Sequence, residues 1–279
     1  MDKELENKIK EFHQGYLNKA KEIYGELPQR CFETKFVIGT NPTDKLSSGA
    51  DSEENIIYIH PDIIDKTKNK DLEWTIYHEM EHIRLYRNLK EDRYRNASGF
   101  HIAYEYGSAE ALNEGLTEIS AGQLLGRKQK NSYGYYETTQ LVRQIFSLLG
   151  LEDKQIIKYC TLDGRERFIE DFKILAGGDV FAILDTGLQS VHDNHIADIN
   201  KEYIEFGKIK VKPLGMYCSE STQKSRITFR NLVLGNIIKF IANNGKISKE
   251  ELNKRVQKLE ELSPYLNGEL EIKTENLSL

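Results

Sequence analysis

The feature that most constrains this chain is the segment His-Glu-Met-Glu-His at positions 78–82. It lies within an apolar stretch, from Asp71 to about Leu89, that we predict to be a buried helix with Asp71 as its N-cap. Two histidines four positions apart lie one helical turn apart, so both imidazoles can bind one Zn²⁺ ion at ~2.0–2.1 Å. Charged and imidazole side chains are costly in such a helix unless a metal or hydrogen bonds compensate them. The segment therefore predicts a metal site.

Glu79 follows the first histidine and points about 100° away from it around the helix, too far to bind the metal beside it. It can instead take a proton from a metal-bound water and pass it on. The five residues thus offer two ligands, His78 and His82, and one base. A chance match is expected in about 1–2% of chains of this length and composition, so the apolar helix around the motif is what strengthens the prediction.

A third ligand has to come from elsewhere in the chain. The metzincin extension of the motif is excluded, because it needs glycine and histidine where the chain has Leu85 and Asn88. The next predicted helix contains Glu114 and Glu118, which lie one turn apart on the same face. Such a pair suits one metal ligand and one carboxylate that accepts a hydrogen bond from a ligand imidazole.

Two glycines and two boundary residues define this second helix. Ser108 is its predicted cap, and Gly126 is predicted to end it. Gly115 and Gly122 lie seven positions apart and would let the helix approach a neighbour closely.

At these residues the chain resembles the gluzincin zinc metallopeptidases, in which a helix with H-E-x-x-H is followed by a helix with N-E-x-x-[ST]-[DE], as in thermolysin. The matching residues are His78, Glu79, His82, Asn113, Glu114, Thr117 and Glu118. The resemblance implies that Glu114 is the third zinc ligand, with Glu110 and Glu118 as alternatives, and that Glu118 orients His78. It covers roughly residues 55–125, and the interval between the two motifs is longer than in thermolysin.

The resemblance implies an α+β, zincin-like fold with a cleft between two lobes. Residues 1–89 would form the N-terminal α/β lobe, with a surface helix over 2–25, a small sheet from Cys31–Ile38 and Asn55–Ile59, a loop over 40–54 and the zinc-binding helix. Residues 90–279 would form a mainly helical lobe that supplies Glu114. After a polar segment at 90–107, the predicted helices are 108–126, 136–149, 153–160, 166–176, 181–190, 222–243 and 248–262.

The activity implied is zinc-dependent hydrolysis of peptide bonds. Zinc would polarise the scissile carbonyl and lower the pKa of its water towards ~7, with Glu79 as base and then as acid. A second donor to the developing oxyanion is expected from the helical lobe. His195 is the candidate, because Asp198 follows three residues later and could orient it. His192, or a tyrosine from the segment 101–106, is the alternative.

The expected substrate is an extended peptide or protein. We expect it to pair with the strand Asn55–Ile59, predicted to lie at a sheet edge. Two other functions remain open: a zincin-fold protein that binds zinc and a partner with little turnover, and a metallohydrolase of a non-peptide amide. The intact base Glu79 argues against the first of these.

Composition narrows the class of protein further. The 279 residues include 39 basic and 44 acidic ones, a formal net charge of −5, which predicts neither a nucleic-acid nor a membrane partner. No apolar run reaches the ~18–20 residues of a membrane span, and the charged N-terminus lacks the apolar core of a secretory signal, so we expect a cytoplasmic protein. Three widely spaced cysteines, Cys31, Cys160 and Cys218, predict reduced thiols.

Overall fold

The computed structural model describes residues 3–40, 42, 48–64, 69–88, 96–99, 101–102, 109–127, 135–178, 181–182, 184–193 and 220–262. In this part of the chain most residues are helical, and two small sheets accompany the helices. None of these helices combines the length and apolarity needed to cross a membrane.

The chain divides into two compact units, each of which contains two stretches of sequence. The first unit is Met1–Glu105 with Thr117–Gln129, and the second is Tyr106–Leu116 with Lys130–Leu279. The sequence predicted a single boundary after residue 89. That boundary stays a prediction; in the contact division residues 117–129 belong with the N-terminal elements.

In the residues that the structure describes, the first unit contains two long helices and six short strands. In chain order these are α1 (Lys3–Tyr24), a 3-10 helix (Gln29–Cys31), β1 (Lys35–Ile38), β2 (Gly49–Asp51), β3 (Ile56–Ile59), a 3-10 helix (Pro61–Ile64), α2 (Asn69–Arg84), β4 (Tyr86–Asn88), β5 (Asn96–Ser98) and β6 (His101–Ile102). The second half of α3 (Glu110–Leu125) completes the unit from Thr117 onwards. The predicted helix over 2–25 is confirmed.

The first sheet has the strand order β1-β3-β2, so β3 is its central strand. β3 pairs in parallel with β1 and antiparallel with β2. The prediction that the strand Asn55–Ile59 lies at an edge is therefore wrong. An added peptide cannot pair with it, because strands already occupy both of its edges. β2 lies in the segment predicted as a loop, and its Gly-Ala-Asp sequence has low strand propensity, so pairing with β3 creates this strand.

α2 is a buried helix, as predicted, but both of its ends differ from the prediction. It begins at Asn69, which places Asp71 in the first turn, where its carboxylate favours the helix dipole. It ends at Arg84 rather than Leu89, because the chain turns into β4, which starts at Tyr86. The residues after Arg84, Leu-Tyr-Arg-Asn-Leu, are too few for their pattern to distinguish helix from strand.

A second sheet includes part of the polar segment at 90–107, where the sequence predicted a loop with short helical pieces and no strand. β4 pairs antiparallel with β5, and β5 with β6. Each strand has three residues or fewer, too short for the alternation that identifies a strand in sequence.

The core of the first unit is formed where α1 packs on α2. Tyr16 and Tyr77 meet edge to face, with ring centroids 5.5 Å apart. The helices approach closely at Gly15, where a Cβ atom would lie 2.9 Å from the Tyr77 hydroxyl. α2 also packs against β2 and β3. Its buried apolar side chains are Leu72, Trp74, Ile76, Tyr77, Met80 and Ile83.

All regular elements that the structure describes in the second unit are helices. It contains the first half of α3, then α4 (Tyr136–Leu148), α5 (Asp153–Ile156), a 3-10 helix (Ile157–Tyr159), α6 (Gly164–Ala176), α7 (184–193), α8 (Glu220–Asn244) and α9 (Lys249–Leu262). The helices predicted here are confirmed, with ends that differ by a few residues. Gly126 ends α3 with φ +66°, also as predicted, and Ser108 lies outside the described residues.

The contacts of α4 hold the second unit together. α4 packs against α8 and α9, and Glu137 on α4 accepts a hydrogen bond from the buried Arg230 guanidinium on α8. A Cβ atom at Gly115 on α3 would lie 2.5 Å from Val142 Cγ2, so α3 approaches α4 closely at the first of the two predicted glycines. Close helix contact and a buried ion pair thus fix α4 on two sides.

The described cysteines are free, and we expect one of them to be unreactive. Cys31 and Cys160 are buried, whereas Cys218 lies outside the described residues. Burial raises the pKa of the Cys31 thiol to about 11. Because the thiolate is the reactive form, iodoacetamide at about pH 8 should spare Cys31 in the native protein and modify it after unfolding. Peptide mass spectrometry measures both; rapid native modification of Cys31 would contradict the burial.

Candidate metal centre

Three side chains of α2 lie close enough together to hold a metal ion, and Glu79 lies nearer to the two imidazoles than its position around the helix predicted. The Nε2 atoms of His78 and His82 are 3.2 Å apart, and the rings meet edge to face with centroids 4.9 Å apart. The potential ligand atoms of His78, Glu79 and His82 all lie within 4.8 Å of one another. Among the residues that the structure describes, these three form the one group of histidine, cysteine and acidic side chains whose ligand atoms lie near enough together to bind a single ion.

The spacing of the two imidazoles fits zinc. Two nitrogens bound at ~2.0–2.1 Å to a tetrahedral ion lie about 3.3–3.4 Å apart. The observed separation of 3.2 Å between His78 Nε2 and His82 Nε2 is close to that value. Imidazole and carboxylate are also donor types that zinc accepts. The donor types and the N···N distance are therefore compatible with a zinc ion. In the structure the same two nitrogens share a hydrogen bond, which an ion would replace.

Glu118 on α3 sets the orientation of the first imidazole. Its Oε1 atom lies 3.1 Å from Nδ1 of His78, and both side chains are buried. A carboxylate at Nδ1 favours the tautomer with the proton on that nitrogen, so Nε2 is left with the lone pair that a metal requires. The other oxygen, Oε2, accepts a hydrogen bond of 2.8 Å from Nε1 of Trp74. The contact between Glu118 and His78 is the one that the resemblance implied.

A second carboxylate of α2, Glu81, is fully buried and was not singled out from the sequence. Arg84 donates to both of its oxygens, over 3.0 and 2.6 Å. Tyr16 on α1 donates over 2.7 Å, and Ser120 on α3 over 2.6 Å. Tyr24 on α1 is a further donor, and the Arg84 guanidinium stacks on its ring. We call these five residues the Glu81 network.

Within the Glu81 network, Glu81 and Arg84 are both charged at neutral pH. Burial alone would raise the pKa of the Glu81 carboxyl, but Arg84 and the hydroxyl donors hold that pKa below its usual value. Burial opposes the charge of Arg84 as well, yet Glu81 raises the pKa of the guanidinium well above its usual range. The sequence signal that could have revealed this ion pair is an acid and an arginine three residues apart on an apolar helix. The network connects α1, α2 and α3, and so fixes the helix that carries both histidines.

Glu114 is not part of the three-residue group on α2. It is half-buried on α3, one helical turn before Glu118, and Glu110 at the start of that helix is exposed. The support for Glu114 as a ligand is therefore its place in the sequence pattern and on α3, and not a distance to either histidine.

The predicted oxyanion donors lie largely outside the described residues. His195, Asp198, Tyr104 and Tyr106 are all in such segments, and His101 is in β6. His192, in the second unit, is buried and stacks on Tyr135 with ring centroids 5.4 Å apart and an interplanar angle of 16°. The assignment of His195 as a donor stays a prediction.

Comparisons with protein-family models, with curated proteins and with solved structures found no match to this chain. The structure itself shows only a coarse fold class: its described residues are mostly helical, with two small three-stranded sheets, which is compatible with α+β. The interpretation of the site depends on its own geometry.

The Glu81 network yields a stability prediction. Glu81→Ala should destabilise the protein by about 3–5 kcal/mol, because Arg84 would stay buried without its counter-charge. Urea unfolding followed by circular dichroism measures the loss. The control is Glu6→Ala, which removes the exposed partner of Lys10 and should leave the unfolding midpoint unchanged. Equal midpoints for the two variants would show that the network does not stabilise α2.

Proposed function

We propose that this protein is a zinc-dependent metallopeptidase of the gluzincin type, with a zincin-like α+β fold. The observation that carries the proposal is the pair of imidazole nitrogens on α2, His78 Nε2 and His82 Nε2, 3.2 Å apart. The carboxylate of Glu79 belongs to the same group of side chains. Two nitrogens at ligand spacing with a carboxylate beside them are the protein groups that metal-assisted hydrolysis requires.

The proposed ligands are His78, His82 and Glu114. Both histidines would bind through Nε2, since Glu118 favours the proton on Nδ1 of His78. Of the three carboxylates considered on α3, Glu110 is exposed, and both oxygens of Glu118 are engaged by other side chains. Glu114 is half-buried and is the proposed third ligand because it matches the ligand position of the gluzincin pattern.

The chemistry divides between the ion and Glu79. A bound zinc ion supplies a Lewis acid that polarises the carbonyl and lowers the pKa of water towards ~7. Glu79 would take a proton from the attacking water as the new C–O bond forms, and deliver it to the leaving nitrogen as the C–N bond breaks. Its carboxylate is buried, which limits exchange of that proton with bulk solvent.

The proposed substrate is a peptide or protein. In an extended form it could add to the first sheet only at β1 or β2, since β3 is enclosed on both sides. Hydrolysis of a non-peptide amide would use the same residues in the same roles, so a substrate survey has to decide between the two.

Zinc content is the first test. The purified protein should carry about one zinc ion per chain, because the donor set fits that metal. Mass spectrometry of the metal and competition with a chromophoric chelator measure content and affinity. Glu114→Ala should lower the affinity strongly, and Glu118→Ala by about 10–100-fold through loss of the His78 acceptor. Glu110→Ala, an exposed acid on the same helix, is the control and should have no effect. Zinc-free protein that takes up no zinc on titration would refute the proposal.

Glu79→Gln tests the base. The amide keeps the size of the side chain but cannot accept the proton, so hydrolysis should fall by at least about 10²-fold while zinc stays bound. A peptide-library digest, with and without a zinc chelator, measures cleavage. The control is Glu73→Gln, also on α2, which removes only the ion pair with Arg127.

The digest also separates the rival functions. Wild-type turnover in Glu79→Gln would rule out the assigned mechanism. Zinc binding without cleavage of any peptide by the wild type would favour a binding protein or an amide hydrolase instead.

A further inference from the structure

We propose that Trp74 is a positioning residue of the metal centre, which acts through Glu118 on the imidazole of His78. This inference rests on the proposed function of His78 as a zinc ligand. Trp74 Nε1 donates a hydrogen bond of 2.8 Å to Oε2 of Glu118, and Oε1 of the same carboxylate lies 3.1 Å from Nδ1 of His78. One oxygen thus accepts a hydrogen bond from the indole while the other lies beside the imidazole nitrogen, and rotation of the carboxylate would change both contacts.

Burial makes both contacts hard to replace. Trp74, His78 and Glu118 have exposed fractions of 3%, 5% and 4%. Water therefore has little access to either carboxylate oxygen. A hydrogen bond to a charged acceptor is stronger than one between neutral groups, and a buried acceptor that loses its donor is costly. Without the indole N–H, Glu118 would turn towards another donor and release the His78 ring.

Both helices place the indole at this point. Trp74 precedes His78 by four residues on α2, so the two side chains lie on one face of the helix. On α3, Gly122 follows Glu118 by the same interval, and a Cβ atom at Gly122 would lie 3.2 Å from Cη2 of Trp74. The second glycine predicted to allow a close approach thus makes room for the indole, and Arg127 lies 5.8 Å from the ring centroid.

A tryptophan that serves only as core packing would behave differently. Its replacement would lower stability but leave the tautomer of His78 unchanged. The readout that separates the two roles is therefore the state of the His78 ring, which can be followed in metal-free protein by ¹⁵N NMR of the imidazole nitrogens.

The experiment uses the full chain and begins with the indole itself. Trp74 is the only tryptophan, so the protein gives a single indole N–H resonance. In metal-free protein, Glu118→Gln should move this resonance upfield, because a charged acceptor becomes a neutral one. Glu110→Gln is the matched control on the same helix and should not move it. An unmoved resonance in Glu118→Gln would overturn the proposal.

The second step removes the donor. Trp74→Phe keeps an aromatic ring but lacks the N–H, and should shift the His78 nitrogen signals away from the Nδ1–H tautomer. Zinc affinity should fall about tenfold, the lower end of the range for residues behind a ligand. The double variant Trp74→Phe/Glu118→Gln should lose little more than Glu118→Gln alone. Ile76→Val, a packing change on the same helix, should leave the ring signals and the zinc affinity as in the wild type.

A folded-state control keeps the result decisive. If Trp74→Phe fails to fold by circular dichroism, 3-benzothienylalanine at position 74 replaces the N–H by sulfur with the same shape. Wild-type His78 signals and zinc affinity in a folded protein without the N–H would overturn the proposal. If instead the ring responds as expected but the wild type binds no zinc, the proposed function fails while the control of the His78 ring by Trp74 stands.

Discussion

A buried charge determines how the first unit is built. Glu81 lies between the two histidines of α2 in sequence, and its carboxylate has no exposed surface. An unpaired charge in that position would cost several kcal/mol. The elements that pack against α2 therefore have to place hydrogen-bond donors beside this carboxylate. Arg84 supplies them from the same helix, Tyr16 from α1 and Ser120 from α3. A shift of α2 by one residue would turn every side chain by about 100° and separate the carboxylate from these partners.

The same constraint aligns the candidate metal centre. Ser120 contacts Glu81, and two residues earlier on α3 Glu118 contacts His78. His78 and Glu81 are three residues apart and lie side by side on α2, so polar groups of α3 contact both the imidazole and the fixed ion pair. The orientation of His78 is in this way a result of how α2 and α3 pack, and Trp74 adds a contact from α2 itself.

Local pattern determined what could be predicted from the sequence. Helical periodicity revealed α2 and the helices of the second unit, and helical spacing was enough to place His78 and His82 together. β2 was not predictable, since its three residues form a strand only through pairing, and strand pattern carries no information on the order β1-β3-β2. Two of the partners of Glu81 are distant in sequence: Ser120 is 39 residues away and Tyr16 is 65 residues away. No spacing rule connects residues so far apart. Trp74 could be recognised only as an apolar residue, because its acceptor lies on another helix.

The close approach at Gly122 links two positions of the chain over evolutionary time. A Cβ atom at 122 would lie 3.0 Å from the carbonyl oxygen of Arg127 and 3.2 Å from the indole of Trp74. A lineage that gains a β-carbon there must shift these neighbours by a few tenths of an ångström or accept a smaller residue at 74. The smaller apolar residues have no side-chain N–H, so that second path also removes the donor to Glu118. Substitutions at positions 74 and 122 are therefore expected to depend on each other. Glycine at 122 on α3 goes with the tryptophan at 74 on α2 that donates the hydrogen bond to Glu118.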